Sequence, residues 1–228
     1  MQTKNIMRAL LLICLFTIAS TQQVYADCDD KRKPGMDWSG CKKINKMLDD
    51  SNFTGSRFDN ANLAFSRLDE SNFEGASLVK TNMTRVRAKG ARFVGADLTK
   101  SVGYRAVFDQ VVIKNSIMTK SEYFRASFRE AELSDIDWSK SELGRVDFTA
   151  ARLENISFQF TNLSRVVFSE AKLEGVEFRG AYTYRTHFEN VDLRAVNLSQ
   201  LQIDLSCGNE KTRLPEGRRM PDTWPCID

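Results

Sequence analysis

The stretch SNFTGSRFDNANLAFSRLDE, residues 51–70, sets the architecture because its large apolar residues recur at every fifth position. These residues are Phe53, Phe58, Leu63 and Leu68, and a Ser or Ala stands two positions before each of them. A helix repeats its buried positions about every 3.6 residues and a strand about every 2, so a period of five fits neither. One large and one small inward residue per unit predicts a chain wound around a narrow axis, with each side of the coil one unit long.

The same period continues along most of the chain. No insertion or deletion interrupts 31 consecutive five-residue units between residues 51 and 205. The position two residues before each centre is Ala, Ser, Thr or Val almost throughout, with larger residues at Ile136, Ile156 and Leu201. A unit that buries only two side chains cannot fold alone, so successive coils must stack and share one core.

The units ANLAF, ADLTK, SNFEG, TNLSR and VNLSQ resemble the A-(D/N)-L-x-x motif of the pentapeptide-repeat family. The resemblance implies an all-β fold, a right-handed quadrilateral β-helix in which four units complete one coil. Residues 51–205 would then form about eight coils, stacked at the strand spacing of about 4.8 Å. Residues 20 positions apart would lie above one another, which predicts a continuous core ladder of Phe108, Phe128, Phe148, Phe168 and Phe188.

Three centres lack a large apolar side chain: Ala88, Gly103 and Thr183. Truncating a buried Leu or Phe costs about 2–5 kcal/mol, so we expect a cavity or a local backbone distortion at each centre. In a four-sided coil Gly103 and Thr183 share one side. We expect the neighbouring tyrosines to fold over these two gaps, namely Tyr104, Tyr182 and Tyr184.

The chain divides into four expected segments. Its beginning has the layout of a secretory signal peptide, because Lys4 and Arg8 precede an apolar run that ends before a Val24-x-Ala26 pair. No other stretch approaches the roughly 18 apolar residues of a membrane-spanning helix. We therefore expect an exported protein, in a bacterial periplasm or outside the cell, without a transmembrane segment in the mature chain. The segments are the signal peptide 1–26, an N-terminal cap 27–50, the β-helix 51–205 and a C-terminal cap 206–228.

Four cysteines remain after residue 26, two on each side of the repeats. A disulfide requires Cα atoms within about 7 Å, and the two ends of the rod lie several times farther apart. The expected pairs are therefore Cys28 with Cys41 and Cys207 with Cys226. They would staple the caps that a solenoid needs at its exposed ends, and Trp224 is expected to cover the last coil.

The last residue of each unit, taken every 20 positions, separates the four corners of the coil. One corner carries residue types that tolerate a positive φ: Gly55, Gly75, Gly95, Asn115, Asp135, Asn155 and Gly175. The next carries a Lys column, Lys80, Lys100, Lys120 and Lys140. The third carries an Arg column, Arg85, Arg105, Arg125, Arg145, Arg165 and Arg185. Between the Lys column and the Arg column lies an aromatic face with outward Tyr104, Phe124, Tyr182 and Tyr184.

Two interpretations of the Arg column are open. Neighbouring arginines about 4.8 Å apart repel each other by about 0.9 kcal/mol in water, a cost that folding alone does not explain. A basic strip with exposed aromatic residues is typical of an anion-binding surface. Duplication of a 20-residue coil would, however, also copy an arginine from coil to coil, and Glu122 and Glu142 are placed to neutralise part of the column.

No catalytic, cofactor-binding or metal-binding residues are expected. The sequence has no nucleophile beside a base, no paired carboxylates in a cleft and no phosphate loop. Neither cysteine pair has C-x-x-C spacing, and His187 is the only histidine. Some cytoplasmic members of the family that this chain resembles mimic DNA and bind topoisomerases through an acidic surface. This chain has only one mildly acidic corner and a balanced mature charge, so we expect neither that activity nor nucleic-acid binding.

The leading hypothesis is an exported, non-enzymatic binding or structural scaffold that presents flat β-helix faces to a protein or to an envelope polymer. The alternative is a direct anion binder that takes a phosphate-bearing glycolipid or an acidic polymer through the Arg and Lys columns. The two hypotheses differ in salt dependence, because only the second releases counterions from many cationic contacts.

Overall fold

The computed structural model describes residues 26–226, so the predicted signal peptide, apart from Ala26, lies outside the described residues. Its strands are β1 Arg92–Val94, β2 Val112–Ile117, β3 Glu132–Asp137, β4 Arg152–Ser157 and β5 Lys172–Glu174, and its helix is α1 Gln200–Asp204. The strands form one parallel sheet in the order β1-β2-β3-β4-β5. Neighbouring strands pair residues that are 20 positions apart, as Phe93 pairs with Ile113.

Isolated bridges continue this register around the coil. They fall at every fifth residue, so four ladders run along the molecule, and nearly all of them join residues 20 positions apart. This register extends from Asp37–Arg57 at one end to His187–Cys207 at the other. The protein is therefore an all-β parallel solenoid with a 20-residue coil, as the five-residue period and the family resemblance predicted.

Each corner of the coil makes the same kind of backbone turn. The last residue of the unit has a positive φ, whether it is Gly75 at 64°, Lys80 at 57°, Arg85 at 54° or Glu70 at 57°. The sequence suggests this conformation at the Gly/Asn-rich corner alone, but all four corners adopt it. Left-handed backbone costs a non-glycine residue roughly 1–2 kcal/mol. Bonding between coils therefore imposes the turn on residues that do not favour it intrinsically.

The Asp or Asn before each centre has a local structural role. Its side-chain oxygen accepts the main-chain N–H two residues later, as Asn62 does from Ala64 at 3.0 Å, and Asn162 from Ser164 at 3.0 Å. Short polar side chains form such turns readily. In most units that have Asp or Asn at this position, the side chain satisfies the first N–H after the buried centre.

Several of the buried Ser and Thr residues at the small position bond to the preceding coil. The Thr81 hydroxyl donates to the carbonyl of Phe58 at 2.7 Å, and the Thr161 hydroxyl donates to the carbonyl of Trp138 at 2.8 Å. A buried hydroxyl is tolerated only when it has a partner. These bonds explain why polar residues can occupy small inward positions without weakening the core.

The predicted phenylalanine ladder is present. The rings of Phe108, Phe128, Phe148, Phe168 and Phe188 are stacked in sequence, with centroid distances of 5.0, 5.4, 5.2 and 5.5 Å. All five side chains are buried. Parallel aromatic pairs at such distances contribute beyond the burial of their area, so the ladder runs as one element through five coils.

The expected backbone distortion does not occur at Gly103 or Thr183. Backbone turns and bridges stay regular around Gly103, where Tyr123 from the next coil fills the space: a Cβ on Gly103 would overlap the Tyr123 ring. The buried Tyr123 hydroxyl is hydrogen-bonded to Ser101 at 2.8 Å. At Thr183 the hydroxyl donates to the carbonyl of Gln202 in α1 at 2.9 Å. A large side chain in one coil can therefore fill the volume that a small centre leaves in the adjacent coil.

The tyrosines expected to cover those gaps do not do so. Tyr104, Tyr182 and Tyr184 are exposed on the surface, because their positions, immediately before or after a centre, point away from the axis. Ala88, the third small centre, is fully buried.

Both ends of the solenoid are closed by the predicted disulfides. Cys28–Cys41 and Cys207–Cys226 each have a Cα–Cα distance of 5.5 Å. Trp224 packs against the core, and its indole N–H donates to the carbonyl of Ser206 at 2.7 Å, which confirms its role over the last coil. Along residues 26–226 no helix has the length and apolarity needed to cross a membrane.

Removing one ring of the ladder should be costly. Phe148→Ala is expected to lower the free energy of unfolding by about 3–5 kcal/mol, because a fully buried ring between two stacked neighbours leaves a cavity. Phe160→Ala is the control, since that residue is 60% exposed, and it should cost less than about 1 kcal/mol. Guanidinium denaturation followed by circular dichroism measures both, and equal losses would contradict the packing described.

The Gly103–Tyr123 pair gives a second test. Gly103→Ala is expected to destabilise the protein by about 1–3 kcal/mol, because the added methyl group overpacks the site against the tyrosine ring. In a Tyr123→Leu background the same substitution should cost clearly less. A double-mutant cycle by chemical denaturation measures the coupling, and an unchanged cost in the two backgrounds would show that Tyr123 does not fill the gap.

Candidate functional site

The Arg column is positioned by main-chain bonds between coils. The N–H of Arg85 donates to the carbonyl of Tyr104 at 2.9 Å, and the N–H of Arg105 donates to that of Phe124 at 3.1 Å. Each arginine thus bonds to the residue before the next arginine, and the pattern repeats through Arg125, Arg145 and Arg165. Five of the six column arginines are exposed and Arg185 is half-buried. The structure therefore places the predicted residues in one line on successive coils.

The Lys column is built in the same way. The N–H of Lys80 donates to the carbonyl of Thr99 at 2.9 Å, and that of Lys100 donates to the carbonyl of Thr119 at 3.0 Å. Beyond Lys140 the corner changes to Phe160, whose ring lies over Gly180 so closely that a Cβ on that glycine would meet it. The Lys column therefore ends earlier than the Arg column.

Within residues 26–226, the two acids of the aromatic face, Glu122 and Glu142, do not form ion pairs with the column arginines from Arg85 to Arg165. The Tyr104 hydroxyl donates to Glu122, and Asn162 Nδ2 donates to Glu142 Oε2 at 2.8 Å. Neutral donors therefore satisfy both carboxylates. Any neutralisation of the column by Glu122 and Glu142 would therefore act through space and not through direct ion pairs with Arg85 to Arg165.

Most arginines elsewhere on the surface have carboxylate partners. Arg87 Nε lies 2.8 Å from Asp69, and Arg57 lies 3.2 Å from Asp59. Within residues 26–226, by contrast, none of the five column arginines from Arg85 to Arg165 has a carboxylate oxygen within 4.0 Å. The sequence showed the positions of the column arginines but not which arginines have carboxylate partners, because that pairing depends on neighbouring coils.

Phe124 lies between two arginines of the column. This residue is 40% exposed, and the guanidinium carbons of Arg125 and Arg145 are 5.4 and 5.9 Å from the centroid of its ring. Gly144 lies beneath the ring, since a Cβ there would be 3.1 Å from it. Arg85 lies 5.6 Å from the ring of Phe65 in the same manner. Aromatic faces thus hold part of the column by cation–π contacts.

A second aromatic group lies at the C-terminal end of the aromatic face. The rings of Tyr182 and Tyr184 are stacked at 6.2 Å with an interplanar angle of 12°. Both side chains are exposed, Tyr182 to 51%. The predicted aromatic residues therefore do not form one cluster. Tyr104 and Phe124 lie beside the middle of the Arg column, and the tyrosine pair lies beside its end.

The surroundings of His187 do not form a nucleophile–base pair. His187 Nδ1 is 2.9 Å from Glu189 Oε1, and the Ser169 hydroxyl donates to Glu189 Oε2 at 2.8 Å. Burial alone would raise the pKa of the Glu189 carboxyl, but these two hydrogen bonds outweigh it and lower the pKa. The hydroxyl is therefore held by a carboxylate and not by the imidazole. Residues 26–226 contain no cluster of three or more His, Cys, Asp or Glu side chains suited to a metal ion.

The Tyr104–Glu122 hydrogen bond can be tested by titration. It raises the pKa of Tyr104 to about 12, with smaller contributions from burial and from the charges of Glu122 and Glu142. We expect the Glu122→Gln variant to return this pKa towards 10, because the charged acceptor is lost. Since the folded-state pKa is raised, any stability from the bond is present below about pH 10 and is lost as the pH rises through 12. Ultraviolet titration with Tyr104→Phe as the reference identifies the step, and an unchanged pKa in Glu122→Gln would refute the bond.

A family model described as pentapeptide repeats matches residues 48–85, 66–102, 141–180 and 161–200, with eight copies. HetL, a pentapeptide-repeat protein from the cyanobacterium Nostoc sp. strain PCC 7120, aligns with a TM-score of 0.54 and 20% identity over 84% of this chain and 92% of its own. QnrB1, a plasmid-mediated fluoroquinolone resistance protein, aligns in a trypsin-treated variant form with a TM-score of 0.58 and 18% identity, over 82% of this chain and 93% of its own. No curated protein matches the chain. At these identities the two structures show a shared fold, and the family match covers half of the chain. The chain therefore belongs to the pentapeptide-repeat family.

Proposed function

We propose that this protein is an exported, non-enzymatic binding or scaffold module that presents flat β-helix faces to a protein or to an envelope partner. The observation that supports the proposal is the closed, regular solenoid: both ends carry disulfide-linked caps, and four ladders repeat between them. A rod with sealed ends and flat sides offers extended surfaces for binding, as solenoids generally do.

The disulfides support export. All four cysteines after residue 26 are paired, and disulfides persist mainly in oxidising compartments such as the periplasm and the cell exterior. The predicted signal peptide at 1–26 leads to the same proposal. We take the functional unit to be the N-terminal cap 27–50, the β-helix 51–205 and the C-terminal cap 206–228.

Anion binding through the Arg and Lys columns is the second candidate function. It is favoured by one observation: the column arginines from Arg85 to Arg165 lack carboxylate partners within the described residues, whereas Arg57 and Arg87 have them. Guanidinium groups in a line without such partners raise the local positive potential. The ligand would be a phosphate-bearing glycolipid or an acidic polymer of the envelope.

A salt titration separates the two candidate functions. Residues 27–228 are mixed with isolated envelope fractions at increasing salt, beside a variant that carries Arg105→Glu, Arg125→Glu and Arg145→Glu. Binding by flat faces should change little with salt and persist in the variant. Binding by the columns should fall steeply with salt, because counterions are released, and should be lost in the variant.

Envelope fractions stripped of protein by protease serve as the control for a protein partner. Absence of binding to untreated fractions at every salt concentration would count against both candidates.

A further inference from the structure

We infer that the Arg column binds a linear acidic polysaccharide that lies parallel to the solenoid axis, with one like-facing carboxylate opposite about every second coil. The inference rests on the second candidate function, anion binding, and names its ligand class. It is carried by three features of the column: its spacing, the five guanidinium groups without carboxylate partners and the exposed aromatic rings beside it.

The spacing of the column selects among linear polyanions. Main-chain bonds place successive arginines on adjacent coils, which are about 4.7–4.9 Å apart. An extended acidic peptide presents like-facing side chains about every 6.6–6.8 Å, and a stacked nucleic-acid strand presents a phosphate about every 3.4 Å. Each ring of a uronate polymer advances the chain by a length close to the coil spacing, and successive carboxylates of an extended chain alternate between two sides. Like-facing carboxylates therefore recur about every second coil, a register that the extended peptide does not share.

The guanidinium groups are available for such a ligand. Among the described residues, the five arginines from Arg85 to Arg165 have no carboxylate within 4.0 Å. A guanidinium group presents a planar fork of donors that matches a carboxylate in two parallel hydrogen bonds. Phe124 makes cation–π contacts with Arg125 and Arg145, which leave the in-plane N–H groups of both guanidinium groups for the ligand.

The aromatic face supplies the apolar part of the site. Phe124 is 40% exposed and lies over Gly144 beside the Arg column. A sugar ring has an apolar face of C–H groups that packs on aromatic rings of this kind. Tyr184 directly precedes Arg185, so the stacked Tyr182–Tyr184 pair gives a second such surface at the far end of the column. Neither a lipid headgroup nor inorganic phosphate would use two aromatic platforms separated along the axis.

The test measures affinity against ligand length. Galacturonate dimers, tetramers and hexamers are titrated into residues 27–228 by calorimetry at low salt, with fully methyl-esterified oligomers as the neutral control. Affinity should rise from dimer to tetramer to hexamer, because a longer oligomer reaches more arginines of the column. The variant R105Q/R125Q/R145Q should bind the hexamer about tenfold more weakly, as expected for the loss of three exposed charge pairs, and should lose the length dependence.

A matched variant controls for general loss of charge. R57Q/R152Q/R179Q removes three arginines that are also exposed but lie on other sides of the coil and have carboxylate partners. It should bind the hexamer within about twofold of the unchanged protein. Thermal melts of both triple variants check that the solenoid remains folded.

Other results would show whether the polysaccharide inference alone fails or whether anion binding fails with it. Length-independent binding, an equal loss in both triple variants, or tighter binding of vesicles with anionic lipids or of an oligothymidylate would overturn the polysaccharide inference. If that vesicle binding were lost in R105Q/R125Q/R145Q, the second candidate function would stand without it. If no galacturonate, vesicle or nucleotide probe bound, both the inference and anion binding would be overturned, and the flat-face scaffold would remain.

Discussion

Hydrogen bonds between successive coils determine where nearly every side chain of this solenoid lies. The N–H of Phe53 donates to the carbonyl of Asn72 at 2.7 Å, and the N–H of Asn72 donates back to the carbonyl of Ser51 at 2.9 Å. The same two bonds recur along four ladders, so residues 20 positions apart are held about 4.8 Å from each other. Any side chain type that repeats with the coil therefore forms a column. Inside the solenoid this constraint stabilises stacked phenylalanine rings, and outside it brings like charges together.

The five-residue period made the interior predictable from sequence. Large and small inward positions, the phenylalanine ladder and both disulfides follow from a coil of constant length, because a constant coil fixes which residues are neighbours. The sequence interpretation failed at Gly103, where each position was judged by its own volume. Tyr123 belongs to the next coil and supplies the missing volume, so core packing here is shared between coils. An analysis that treats each position separately cannot detect that a side chain of one coil fills the space left by a glycine in the coil before it.

For the surface, the sequence predicted which residues lie in each column but not which residues they bond to. The Arg and Lys columns follow from the period alone, but their partners do not. Tyr104 donates a hydrogen bond to Glu122, and Asn162 donates one to Glu142. Arginines of the column lie within one or two coils of both carboxylates. Which donor reaches an acid depends on side-chain directions at the corner, where the chain has positive φ. That conformation at Arg and Lys residues was itself not evident from their residue types.

The fold can neutralise an arginine column, and elsewhere it does. Arg67 and Arg87 lie on adjacent coils, yet Asp49 is 3.3 Å from Arg67, and Asp69 is 2.8 Å from Arg87 and 3.8 Å from Arg67. Aspartates thus alternate with arginines along that ladder. Duplication of a coil copies its arginines together with any acids beside them, so the two sets of arginines differ in whether the repeated coil carries an aspartate near its arginine. Cation–π contacts with Phe65 and Phe124 balance only part of the charge of the Arg column. Anions from outside the chain would relieve the remaining repulsion, and a linear polyanion along the axis would relieve it at several arginines at once.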